Sequence, residues 1–162
     1  MSALPNFSGK VYLRDDSIDY KAHAYQYAYT SEPEGTMAPA AIVYVADDED
    51  IKLAIEYARA NNLGIAVRTG GHEYLGASST TGDNIQIDLS GRESADRSAY
   101  PYRQSSVDEI EGSLTVGVAL NVDDVVALSC EYGIFFPHGE CCEVHMGGHT
   151  QTGGVSVISR TF

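Results

Sequence analysis

Between Pro39 and Val67 the chain spells a strand, a helix and a second strand with no linker between them, and this unit constrains the fold more than any other stretch. Pro39 introduces Ala40-Ala41-Ile42-Val43-Tyr44-Val45, an apolar run with the β-branched character of a buried strand. Asp47 to Asp50 then supply an N-cap and an acidic first turn, which suits the positive end of a helix dipole. Ile51, Ala54, Ile55 and Ala58 recur at helical spacing. Asn61-Asn62-Leu63-Gly64 closes that helix, and Ile65-Ala66-Val67 forms the second strand. Such a unit crosses over right-handedly and offers ligands the space beyond the carboxyl ends of its strands.

That space is where a glycine-rich tract begins: Arg68-Thr69-Gly70-Gly71-His72, followed by Gly76 and Ser78-Ser79. A second tract near the end runs from Gly139 through Cys141, Cys142, Val144, His145 and Gly147-Gly148-His149 to Gly153-Gly154. Glycine lets a backbone come close to a ligand or take a positive φ. Successive backbone N–H groups in such a loop make a concavity suited to phosphate oxygens. Each tract also carries a nucleophilic side chain, His72 in the first and Cys141 in the second, so the expected ligand is a cofactor held covalently.

Elsewhere the pattern continues in the same grammar. Residues 1–36 read as a polar lead segment, in which Tyr20 to Tyr29 forms a short helix against the domain; residues 37–162 read as that domain. Asn84 to Leu89 alternates polar and apolar, the sign of a half-buried strand. Gly91 to Asp108 reads as a loop and Ser113 to Val118 as a strand. Asn121 caps a helix whose inner face is Val122, Val125, Val126, Leu128 and Ser129, closed by Gly133. Cys130 falls in that helix as a core residue, and Ile134-Phe135-Phe136 is a short strand leading into the second tract. The apolar end, Val155 to Phe162, suggests truncation.

Composition excludes several classes of partner. A net charge of −13 over 162 residues argues against nucleic acid and anionic membrane, both of which require a basic surface. No apolar run reaches the roughly 20 residues of a membrane span, and the N-terminus lacks a secretory signal. A soluble, cytoplasmic protein is expected, although a processed secreted chain would read the same way. The three cysteines are odd in number and two are adjacent, so they form no disulfide framework. His138, Cys141, Cys142, His145 and His149 crowd together and offer a zinc site as a competing reading. Zinc sites usually gather ligands from two separated segments, and no second segment exists.

From Pro39 onward these motifs, in this order, resemble the PCMH-type FAD-binding domain of the vanillyl-alcohol oxidase superfamily. The closer likeness is to its berberine-bridge-enzyme-like and oligosaccharide-oxidase-like branch. Pro39-Ala40-Ala41-Ile42-Val43, Asp50-Ile51, Val67 to His72, Ile87-Asp88-Leu89-Ser90 and the second tract carry the resemblance. It implies an α+β fold of two small α/β subdomains, a strand–helix–strand unit plus a mixed or antiparallel sheet, incomplete at the C-terminus. It implies that Arg68, Thr69, Gly70, Gly71 and Ser78 face the FAD pyrophosphate and that His72 bonds the flavin 8α carbon. Cys141 matches the position of a second bond, to flavin C6, with Cys142 doubling the family's single cysteine.

Gly147, Gly148, His149, Gly153 and Gly154 match the stretch along the flavin. Val144 matches a position at its edge, where valine is similar to oxidase-type members. The implied protein is an FAD-linked oxidoreductase acting on a C–OH group, with an alcohol-type substrate and oxygen as acceptor. The family's catalytic base lies in regions this chain does not contain, so no catalytic residue is expected here. A non-catalytic flavin-binding fragment is the alternative.

Overall fold

The computed structural model describes residues 3–15, 17–26, 37–79 and 82–157. A four-stranded sheet forms from β1 (Lys10–Leu13), β2 (Pro39–Tyr44), β3 (Gly64–Arg68) and β4 (Gly82–Asp88), in the order β1-β2-β4-β3. β4 runs parallel to both β2 and β3, and β1 closes the edge antiparallel to β2. A separate antiparallel pair joins β5 (Ser105–Asp108) to β6 (Ser113–Val116). The arrangement is the expected α+β one, a strand–helix–strand unit with a mixed sheet and a small antiparallel sheet.

Helix α1 (Ile18–Ala24) covers one face of the first sheet and α2 (Asp48–Ala60) the other. Ala54 and Ala58 press against Ala41, Val43, Ile85 and Ile87 to make the main core. Burying Ile85 alone contributes about 2 kcal/mol. Asp47 caps α2 as expected, its carboxylate accepting from the N–H groups of Glu49 and Asp50. The turn that ends α2 uses Asn62 at φ 54° as its left-handed residue, and Gly64 already belongs to β3. Asp50, fully buried, accepts hydrogen bonds from Ser8 N, Gly9 N and Ala46 N at 2.8–2.9 Å and so fastens the N-terminal segment to the sheet. A Cβ at Gly9 would lie 1.8 Å from the Tyr44 carbonyl oxygen, so only glycine fits there.

A second core of Leu120, Val122, Val125 and Met146 lies under α3 (Val122–Tyr132). Asn121 and Asp124 form a reciprocal capping box, and Gly133 at φ 65° terminates the helix. A short helix α4 (Met146–Thr152) completes the described fold.

Several expectations are corrected. β4 is buried on both faces: Asn84, Gln86 and Asp88, expected to face solvent, are all buried, Gln86 and Asp88 against Arg68 and Ser79, while the Asn84 amide has no hydrogen-bond partner. Cys130 is exposed, because α3 buries Val122, Val125 and Ser129 and the next residue turns away from that face. Residues 134–136 form no strand, and residues 105–108, read as loop, pair in β5. Within the stretch read as a helix from Tyr20 to Tyr29, the helical part ends at Ala24, and residues 27–29 lie outside the described residues. The lead segment also supplies β1, whose four residues were too few to show a period.

Candidate functional site

The first glycine tract leaves β3 and rounds a loop into a single 3₁₀ turn, Ala77–Ser79. Gly71 at φ 70° and Gly76 at φ 79° take left-handed conformations that a side chain would strain. Glu73 shapes the loop from inside, its carboxylate accepting from Leu75 N and Ala77 N, both at 2.6 Å.

Arg68, expected to face phosphate, is turned into the protein and is only 5% exposed. Its Nε donates to Asp88 at 2.7 Å and its Nη1 to Ser79 Oγ and the Tyr25 carbonyl, both at 3.2 Å. Its Nη2 donates to the His23 carbonyl at 2.8 Å and to the Tyr44 hydroxyl at 3.3 Å. All five N–H groups of the guanidinium therefore have protein partners. With its oxygen turned toward the guanidinium, the Gln86 amide adds a further acceptor there and donates to Ser79 Oγ at 2.9 Å. Burial pushes the Tyr44 hydroxyl up, so it stays protonated within this network.

The second tract is laid against residues 118–123. Val122 N donates to Val144 O at 2.9 Å, Met146 N to Leu120 O at 2.8 Å and Gly147 N to Val118 O at 3.0 Å. This registration brings the two tracts together. A Cβ at Gly70 would sit 3.0 Å from the His145 ring, and one at Gly147 would sit 2.7 Å from Thr69 Cγ2. The close approach of Thr69-Gly70 to His145–Gly147 depends on both glycines. At Gly148, by contrast, a Cβ would meet no heavy atom within 4 Å, so the backbone there lies open.

Around this junction stand the candidate reactive groups. His72 is half-buried, and burial lowers its pKa while the Glu143 carboxylate of the second tract opposes the shift. Cys141 and Cys142, in the turn before Val144, are both exposed, so neither is the buried small hydrophobe that free cysteine usually is. Burial holds the His145 imidazole down at about 4, and its Nδ1 is buried with no hydrogen-bond partner. His149 folds the end of the tract back. Gly139 N–H donates to its Nε2 at 3.3 Å, so Nδ1 carries the proton and donates to Gly153 O at 3.2 Å. Gly154 packs on Gly139, where its Cβ would lie 2.8 Å from the Gly139 Cα.

The structure thus joins Thr69, Gly70 and Gly147, and brings His72 near enough to Glu143 for that carboxylate to act on its imidazole. It places His149, Gly153 and Gly154 on the far side, beside an apolar cavity of about 530 Å³ lined by Leu114, Val116, Val125, Phe136 and Met146. Ser78, expected to face phosphate, donates its hydroxyl to Gln26 Oε1 at 3.0 Å. Glu143 and Gln26 were missed by sequence reading. The acidic residue lay inside the motif, whereas nothing in the sequence marks the glutamine.

A neutral imidazole, exposed thiols and a tract of open glycine backbone suit an electrophilic, phosphate-bearing cofactor such as FAD. Among the described residues no group of three or more His, Cys, Asp or Glu is arranged to hold a metal, and His138 and His149 spend ring nitrogens on backbone. No helix among them is long and apolar enough to cross a membrane.

Residues 39–162 match the family model described as "FAD binding domain". Curated relatives include the FAD-linked oxidoreductase malF of Malbranchea aurantiaca, 29% identical over 119 residues that cover 71% of this chain and 20% of the relative. The FAD-linked oxidoreductase phmC of Phaeosphaeria nodorum is 27% identical over 84% of this chain and 31% of its own length. Among solved structures, 6-hydroxy-D-nicotine oxidase from Arthrobacter nicotinovorans superposes with a TM-score of 0.73 at 22% identity, covering 98% of this chain and 32% of that one. Chitooligosaccharide oxidase gives 0.69 at 19% identity, covering 94% and 30%. The chain spans about a fifth to a third of the length of these proteins. With most of its length matched and a PCMH-type fold, the chain belongs to the FAD-binding domain family.

Proposed function

We propose that this chain is the cofactor-holding part of an oxidase that acts on an alcohol-type substrate, with FAD attached through His72 and tethered a second time through Cys141. The observation that carries the reading is the junction of the two tracts, where a Cβ at Gly70 would press on His145 and one at Gly147 on Thr69. When bound, FAD supplies a two-electron acceptor for hydride from the substrate's C–OH carbon, with oxygen as final acceptor. The names of structural neighbours include oxidases, two of them for carbohydrates, which supports both halves of that statement.

The residues of this chain divide the work of holding and orienting. Thr69, Gly70 and Gly71 offer backbone N–H groups to the pyrophosphate, in a loop whose curvature Glu73 fixes. Arg68 and Ser78 hold that loop from behind, spending their polar atoms on protein. His72, kept neutral by burial, would present an imidazole nitrogen to the 8α carbon, the carbon giving up a proton and the two electrons left over passing to oxygen. Cys141 would offer an exposed thiol to C6 with the same balance of protons and electrons. Gly147 and Gly148 run along the ring, and Val144 stands at its edge to govern access of oxygen. His149, Gly153 and Gly154 fix the end of the tract.

Denaturing the purified protein tests the assignment. Yellow colour should stay with the polypeptide, and peptide mapping should find flavin on the peptides that contain His72 and Cys141. Flavin on the first alone reduces the claim to single attachment. Colour that washes off entirely refutes covalent holding.

A further inference from the structure

The segment that follows α1 lies outside the matched family region, yet it touches the first glycine loop at several points. Gln26, only 3% exposed, places its amide over that loop. Its Nε2 donates to the Glu73 carbonyl, and its Oε1 accepts from the Ser78 hydroxyl at 3.0 Å. The amide thus bridges the two limbs of the loop, one before and one after the left-handed Gly76. Just upstream, the carbonyls of His23 and Tyr25 accept from Arg68, the residue from which the loop springs. A Cβ at Gly71 would come to 3.8 Å from Gln26 Cγ and 3.4 Å from Arg68 Cδ, so the glutamine stem also packs beneath the loop's first turn.

We infer that residues 23–26 form a clamp that sets the shape of loop 69–79 before any ligand arrives, with Gln26 as its positioning residue. A glutamine is suited to this task because one planar group carries both a donor and an acceptor. Loop backbone that must present several N–H groups to one anion gains affinity when its conformation is paid for in advance. The inference rests on the reading of loop 69–79 as a flavin-phosphate cradle, and it adds a segment to that cradle which the family match does not include.

The test uses the complete protein, prepared without flavin, with three variants. Gln26→Leu keeps the volume and removes both hydrogen bonds. Gln26→Glu keeps an acceptor for Ser78 but loses the donor to Glu73. Tyr20→Phe removes the 2.6 Å bond from α1 to the Pro39 carbonyl without touching the loop, and serves as the control for loss of stability alone. Amide exchange of residues 73–79 is measured first, then the rate of FAD uptake by quenching of flavin fluorescence.

Gln26→Leu should speed exchange in that loop by about tenfold, the factor that a lost pair of ordinary hydrogen bonds can carry. It should slow FAD uptake by a similar factor, with Gln26→Glu falling between it and the wild type and Tyr20→Phe matching the wild type in both. Unchanged loop exchange in Gln26→Leu overturns the clamp. So does faster exchange with unaltered FAD uptake, or a Tyr20→Phe protein that loses uptake equally. A wild-type protein that takes up no FAD sinks the flavin reading itself, an outcome distinct from a failure of the variants to differ.

Discussion

Replacing Arg68 by lysine separates a residue that holds the loop from one that binds phosphate. In the structure its guanidinium serves Asp88, Ser79, Tyr44 and the carbonyls of His23 and Tyr25. A lysine keeps the positive charge beside Asp88 but gathers its donors at one point, so it reaches one or two of these five acceptors. The site is nine-tenths buried, and water does not readily replace the lost partners. Each stranded buried acceptor costs about 1–3 kcal/mol, while the retained charge avoids the larger penalty of an unpaired Asp88. Arg68→Lys should therefore lower the unfolding free energy of the flavin-free protein by at least about 3 kcal/mol. Urea unfolding with an unchanged slope is the measurement. A flavin-free stability within about 0.5 kcal/mol of wild type, together with a large loss of FAD affinity, would refute the argument and return Arg68 to the phosphate.

Three further perturbations follow from the second tract. Gly147→Ala should destabilise the flavin-free protein by about 1–3 kcal/mol because its Cβ is forced against Thr69 and Val118. Gly148→Ala, with open space around it inside a helix, should stabilise that protein by about 0.5–1 kcal/mol and yet impair FAD uptake; equal uptake would show that the open backbone faces no cofactor. Burial holds His145 at about 4 in the folded chain, below its ordinary value near 6.5, so the unfolded state takes up its proton first as pH falls. Stability should be full above about pH 6.5, drop between there and about pH 4, and lose part of that slope in His145→Gln, as followed by unfolding at stepped pH.

Local rules made much of the fold legible. The β-branched run before Asp47, the cap itself and the capped helix ending at Gly133 are decided by a few neighbouring residues, and each formed where its sequence placed it. What escaped was decided at long range. Asn84, Gln86 and Asp88 alternate with isoleucine as an exposed face would, but all three are buried, Gln86 and Asp88 in a polar network with Arg68 and Ser79. α4 contains Gly147 and Gly148, two poor helix formers, and is held by hydrogen bonds to residues 118 and 120 rather than by propensity. At the candidate site the glycines and His72 announced themselves by type and order. Arg68 announced itself equally well and pointed the other way, because residue type does not say toward which side a buried guanidinium turns. Gln26 announced nothing, since its partners lie about fifty residues away in the chain.

The placing of β4 between β2 and β3 also dictates an order of events during synthesis. β2 can pair with β1 early, but the parallel pairings of β2 and β3 must wait until the ribosome has released the chain through Asp88, with α2 already able to form. Such late, non-local pairing is slow and leaves strand edges unprotected in the interval. Loop 69–79 lies in the stretch between β3 and β4, so the insertion of one strand both completes the sheet and draws the loop closed. Loop 69–79 therefore cannot take its shape on a nascent chain before its scaffold does.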